Sequence, residues 1–300
     1  MPANTMKNAA RLKFSGNNIK VPDGWSRPSG DPAGKHYGDA FKPGDGTTMP
    51  CTLAPPLFTP HTMNRFHTDV QKMLSSAFAK YLDGILDAIA MAWQQSQALA
   101  TMPGVMITGP TAALGVVAWP PLTPLIMATA PKGSPGELRY SMTIANVIGQ
   151  QWGLYTATIK VPGLPLYPAY AAFPGPLAIP VPNIPVPMAT MTQVPTALDP
   201  NVMKNLMITQ HGDPTAMYHK ELFDAVCDAF DKAHKVWLGA TLVTNIMPIL
   251  CPVPTFAPPY VPVGPVVGGT AAMIPGGLTT IWPPLPPPMP APPPPTLPKA

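Results

Sequence analysis

No charged residue occurs from Ala88 to Pro131, from Val161 to Leu198, or from Val236 to Pro298, and these three blocks hold 145 of the 300 residues. Proline punctuates each of them. Pro103, Pro110, Pro120, Pro121 and Pro124 cut the first, Pro162, Pro165, Pro168, Pro174 and Pro176 open the second, and Pro248, Pro252, Pro254, Pro258 and Pro259 crowd the third. A membrane-spanning helix needs about 20 unbroken apolar residues, and lipid-facing backbone must satisfy its own hydrogen bonds. Proline at this density defeats both requirements. It also removes the donor a sheet ladder uses, so the tracts are expected to run as polyproline II or edge strand. Their apolar surface is then expected to be covered by other protein, since burial is worth about 25 cal/mol per Å².

Composition narrows the classes further. The chain has 47 prolines, 46% hydrophobic and only 11% charged residues, against averages of about 5% proline and 25% charge. Polar, self-repelling disorder is excluded by the low charge, and collagen by the lack of a Gly-X-Y period. Cys51, Cys227 and Cys251 contain no C-x-x-C pair and cannot make a disulfide or zinc framework. A net charge of +4 is too small and dispersed for a nucleic-acid footprint.

Each uncharged tract follows a segment with helical signals. Thr59-Pro60, Ser134-Pro135 and Asp213-Pro214 each place an N-cap residue before proline at the first helical position, and Ser134 with Glu137 forms a capping box. Trp93, Trp152 and Trp237 stand near the expected ends. Counting back four, seven, eight and eleven residues gives Ile89, Leu86, Ile85 and Leu82. The same offsets give Ile148, Ala145, Ile144 and Ser141 in the second segment, and Ala233, Phe230, Ala229 and Val226 in the third. That is one apolar helix face repeated three times. The first helix is free of proline from Pro60 to Pro103, which permits about 40 residues. Its apolar C-terminal half is expected at a symmetric subunit contact. Tyr155–Ile159 is β-branched enough to read as a strand. Trp119-Pro120-Pro121-Leu122-Thr123-Pro124 recurs as Trp282-Pro283-Pro284-Leu285-Pro286-Pro287.

The expected organisation is a glycine-rich basic arm over 1–58, helix-ribbon modules over 59–131, 132–198 and 199–282, and a polyproline tail over 283–300. The fold class expected is mainly α, with irregular proline-rich extended segments and a few short edge strands. Trp93, Trp119, Trp152, Trp237, Trp282, Ile85, Ile89, Ile144, Ile148 and Phe230 are the candidates for packing between subunits. No catalytic, cofactor-binding or metal-binding set is expected. His211 with Asp213, His219 with Glu221, and Cys227 read as helix-entry or core residues, and Gly44–Thr48 lacks the lysine of a phosphate loop.

These features point to a non-enzymatic structural subunit of a large symmetric assembly, with self-association and other structural subunits as partners. Virion parts of a tailed phage (tail, baseplate, neck or capsid decoration) suit such a chain by analogy of style. The uneven cysteine count and the absence of an apolar run in residues 1–30 lead to the expectation of folding in a cytosol without signal peptide or transmembrane helix. A membrane-active pore or lysis protein and a polyproline-tailed adaptor are the alternatives.

Overall fold

The computed structural model describes residues 3–17, 60–216, 218–253, 256–257 and 261–281. Residues 18–59 with Cys51, Trp282 and the 283–300 tail, and the expectations attached to them, lie outside the described residues.

Six helices form among the described residues: α1 (Ala3–Gly16), α2 (Pro60–Leu99), α3 (Leu122–Thr129), α4 (Pro135–Thr156), α5 (Pro200–His211) and α6 (His219–Ala240). Helix α2 runs 40 residues from its N1 proline. Helix α4 opens on Ser134, whose Oγ accepts from the Glu137 amide at 3.1 Å. The Glu137 carboxylate reaches back one residue further than a capping box requires and accepts from Gly133 N at 2.7 Å. Asp213-Pro214 does not start the third helix. Asp213 instead closes a turn, accepting from the amide and hydroxyl of Thr215, and α6 begins at His219 without a side-chain cap. The cap-and-proline signal is used at Asp199-Pro200, where the carboxylate accepts from Asn201 N and Val202 N and opens α5.

Each helix packs on its neighbours in sequence, and α1 closes the ring by docking on both α2 and α6. Residues 3–16 are thus part of the body rather than of an extended arm. Met6, Ala10 and Phe14 form their buried stripe, and Lys7, Arg11 and Lys13 pair with Asp87, Asp83 and Asp224. The acidic neighbour of this basic segment is its own chain.

Strands occupy much of the uncharged tracts, so the chain is mixed α/β and not mainly α. Strands β1 (Met102–Thr108), β2 (Thr111–Leu114), β3 (Val161–Leu164), β7 (Ile246–Leu250) and β10 (Gly269–Met273) make one antiparallel sheet in the order β3-β2-β1-β10-β7. A second joins β5 (Val186–Pro187), β6 (Thr241–Val243) and β11 (Leu278–Thr280), and a small third joins β4 (Phe173–Pro174), β8 (Phe256–Ala257) and β9 (Val261–Gly264). Tyr155 and Thr156 end α4 instead of forming a strand, and the ladder begins only at Val161.

Proline enters the large sheet at its irregularities. The register slips by one residue beside Pro103-Gly104 in β1, beside Pro162-Gly163 in β3, and at Ile249, just after Pro248, in β7. Gly104 and Gly163 take the left-handed conformation at φ 75° and 86°. A bulge interrupts the ladder where proline would fail to donate. This is why β1 is an interior strand despite Pro103, against the expectation of edge strands alone. The inner face of the sheet, with Val105, Ile107, Ala112, Val161, Ile246, Ala271 and Met273, joins the helices in a single hydrophobic core. No helix among the described residues is long and apolar enough to cross a membrane.

Candidate functional site

The apolar faces read from the sequence meet at the junction of helices and sheet. All twelve residues counted back from Trp93, Trp152 and Trp237 are buried, whereas Asp87, Asn146 and Asp231, six residues before each tryptophan, are half-buried. The three indoles are joined by Trp119 from the loop after β2. All six pairwise distances between ring centroids fall between 3.9 Å (Trp93–Trp152) and 5.9 Å (Trp119–Trp237). Phe230 lies 5.4 Å from Trp93. Edge-to-face and tilted geometries dominate, as the ring quadrupoles favour.

The polar end of α2 serves this cluster. Trp119 Nε1 donates to Ser96 Oγ at 2.7 Å, and Ser96 donates on to Ala92 O. Trp237 Nε1 donates to Gln97 Oε1 at 3.0 Å, while the Gln97 amide nitrogen donates to Leu278 O and Thr280 Oγ1 in β11. The indole nitrogens of Trp93 and Trp152 and the Nε2 of His234 are buried without a hydrogen-bond partner among the described residues. His234 sits edge-on to Tyr155 at 4.9 Å and against Trp152 and Trp237, each at 6.0 Å. Burial, with a smaller contribution from Lys235, pushes its pKa down to about 4.

Trp93, Trp152, Trp237, Ile85, Ile89, Ile144, Ile148 and Phe230 therefore spend their surface inside one chain. A fully covered ring has no area left for a second subunit, which corrects the expectation that these residues pack between copies. Trp119 is only partly buried and packs on the same cluster. The buried stripe in the C-terminal half of α2 is likewise covered by its own chain, whereas Met91 and Leu99 on the same half are exposed.

The apolar side chains that do reach solvent lie elsewhere. Among the described residues, sixteen of the twenty-two exposed large hydrophobic residues fall in the three uncharged tracts. One row crosses the outer face of the large sheet through register partners on all five strands: Pro162, Ala113, Met106, Thr270 and Leu250. None of these is buried. Beyond β7 the sheet is continued by the 177–184 ribbon, which is attached through Ala178 N to Cys251 O at 3.0 Å and a bridge between Leu177 and Pro252. Ile179 on this ribbon is 67% exposed, and Ile249 at the β7 bulge 72%.

His211 and His219 meet at the α4–α5–α6 corner, their rings 6.0 Å apart. His211 stacks on Tyr140 at 4.6 Å and lies 3.4 Å from Thr143 Oγ1. Burial, then the charge of Arg139, lowers its pKa. His219 Nδ1 is 2.6 Å from Ala216 O, and Arg139 ties Asp213 to the His211 carbonyl. A cavity of about 260 Å³ opens beside His211, lined also by Leu138, Arg139, Met142, Asn146 and Gln210. Cys227 is buried 3.7 Å from Met207 Sδ, and burial raises its thiol pKa well above the ordinary value. Among the described residues no group of three His, Cys, Asp or Glu is placed to hold a metal ion.

No protein-family model, curated protein or solved structure matches the chain.

The sequence reading missed the β-bulge pairing that gathers the tracts into one face. Pro-Gly at equal distances from Trp93 and Trp152 was the available signal, since a glycine in the left-handed region beside proline is bulge chemistry.

Proposed function

We propose that this chain is a structural subunit of a large symmetric multi-chain assembly, joined to its neighbours through the uncharged tracts. The observation that supports the reading is where the exposed apolar side chains fall: of the twenty-two large ones among the described residues, sixteen lie in tracts that carry no charge of either sign. Contiguous apolar surface beyond a few hundred Å² marks a contact with another molecule. The joining surface in this reading is the outer side of the sheet and its ribbons, and the tryptophan cluster is the rigid support behind it. Helices α2, α4 and α6 each carry a tryptophan near their C-terminal end, and β1, β3 and β7, the last reached through β6, have proline beside a bulge, which supports three related helix-ribbon units. Virion parts of a tailed phage remain the kind of particle proposed, by analogy of chain style.

The test is the mass of the full chain in detergent-free buffer, by sedimentation velocity or native mass spectrometry. A discrete high-mass species is the expected result, and a monomer across the accessible concentration range overturns the reading.

A further inference from the structure

We infer that the outer face of the five-stranded sheet, extended by the 177–184 ribbon, is a two-fold contact between two copies of this chain. The inference rests on the assembly reading and names the surface and the partner within it.

Three observations support a second copy as the occupant. The first is charge. Every strand of the sheet and the whole ribbon come from blocks without Asp, Glu, Lys or Arg. The row Pro162–Ala113–Met106–Thr270–Leu250 thus presents a neutral, largely apolar face on a chain of net charge +4. An acidic or basic partner would leave its charges unpaired here, at a cost that rises with desolvation. A copy of the same face leaves none.

The second is the state of the strand edges. In β7, Ile246 N donates to Asn183 Oδ1 at 2.8 Å and Ile246 O accepts from Tyr167 OH at 2.6 Å. Pro248, next along that edge, has no N–H. On the β3 side, Pro162 lacks a donor, and Lys160 exchanges both backbone bonds with Thr192. Closed edges do not accept another strand, so copies meet through the face rather than by lengthening the sheet. Such a face-to-face contact is isologous and closes on itself.

The third is area. Five strands about 4.8 Å apart, with roughly five residues each at about 3.3 Å, give a face of about 400 Å². A specific interface takes about 600–1,000 Å² per partner. The sheet face alone falls short. The eight-residue ribbon, about 25 Å long and about as wide as the 4.8 Å strand spacing, brings the flat footprint to about 520 Å², close to the lower end of that range. Sheet and ribbon are both needed for a stable pair.

The experiment uses the full chain in detergent-free buffer. Met106→Lys and Thr270→Lys put like charges into the middle of the row, and Val202→Lys puts the same charge on α5, at a residue as exposed as Met106 (45% each). Far-UV circular dichroism checks the fold of each. The two face variants are expected to weaken self-association at least about tenfold, with Val202→Lys unchanged, and a mixture of Met106→Lys with Met106→Glu is expected to recover the loss. If Met106→Lys does not fold, Thr270→Lys carries the test, because Thr270 is already exposed. Folded face variants that associate like the wild type overturn the two-fold face and leave the assembly reading standing. A wild-type chain that stays monomeric overturns both. A monomer that binds phosphatidylcholine vesicles shows that lipid, not a second copy, covers the face.

Discussion

The helical ring and the sheet-and-ribbon side are held by different chemistry. In the ring, charged side chains meet one another: Lys7 with Asp87, Arg11 with Asp83, Lys13 and Lys204 with Asp224, Lys232 with Asp228 and Lys235 with Asp231. In the tracts, neutral side chains bind backbone. Asn183 donates to Val243 O and accepts from Ile246 N, Tyr167 donates to Ile246 O, Tyr170 joins Ile179 O to Val181 N, and Gln97 donates to Leu278 O. Proline explains the difference. Chain that lacks regular donors leaves carbonyls and isolated amides that no ladder satisfies, and buried backbone groups must find partners. The charge-poor side therefore depends on a few individual polar side chains, whereas the ring spreads its polar contacts over many weak pairs.

The sharpest way to break this division is at the seam. Trp152 touches both sides, lying 3.9 Å from Trp93 and 5.0 Å from Trp119 by ring centroid. Trp152→Ala is expected to cost about 3–5 kcal/mol and to loosen ring and sheet together. Chemical denaturation followed by far- and near-ultraviolet circular dichroism checks this, and a variant that loses only helix signal would show that the two sides are separate units.

Acid attacks the same seam. The folded His234 pKa is about 4 against an ordinary 6.5, so between those values the unfolded chain holds a proton that the folded chain refuses. Stability is then fully present above pH 6.5, falls as pH drops, and levels off below about pH 4. The full window is worth about 3 kcal/mol for this residue. His211, also lowered, adds in the same direction. Denaturant midpoints measured from pH 7.5 to 4 should show the slope, and His234→Phe should flatten much of it.

Asn183→Ala separates the sides instead of joining them. It strands Val243 O and Ile246 N, each bonded to the amide at 3.0 and 2.8 Å, and should cost about 2 kcal/mol. Hydrogen exchange is the direct readout: the Ile246 amide is expected to lose protection while amides in α4 and α6 keep theirs. Equal loss everywhere would mean that the ribbons do not open on their own.

Much of the ring could be read from the residues. Proline and cap chemistry placed the starts of α2 and α4, and 3.6-residue spacing back from each tryptophan identified the buried faces. Both signals are local. Helix α5 escaped although Asp199-Pro200 repeats the signal seen at Asp213-Pro214, because two identical dipeptides 14 residues apart are told apart only by their surroundings in the folded chain. Helix α1 escaped because its glycine-rich continuation dominated the composition of 1–58. The sheet was least legible. Its pairing joins β1 to β10 across more than 160 residues, and register in proline-broken strands is set by bulges and by Asn183 or Tyr167, which carry no periodic mark. The face that this pairing builds could not be foreseen, whereas the lack of charge from which it is made could.

The smallest expected effect tests the ring's side of the comparison. Arg11 donates to Asp83 through both Nε, at 2.8 Å, and Nη2, and α1 carries two further pairs through Lys7 and Lys13. If helix docking rested on these charges, 1 M salt or Arg11→Gln would release α1. Exposed pairs are worth about 0.2–1 kcal/mol and are screened by salt, whereas Met6 and Ala10 are wholly buried and Phe14 nearly so. Arg11→Gln is therefore expected to lower stability by less than about 1 kcal/mol, with the difference vanishing in high salt, and Met6→Ala to cost about 2–5 kcal/mol. Denaturation of the two variants at low and high salt orders them. A larger loss from Arg11→Gln would make electrostatics, not the apolar stripe, the attachment of α1, and the ring would then depend on single contacts as the ribbons do.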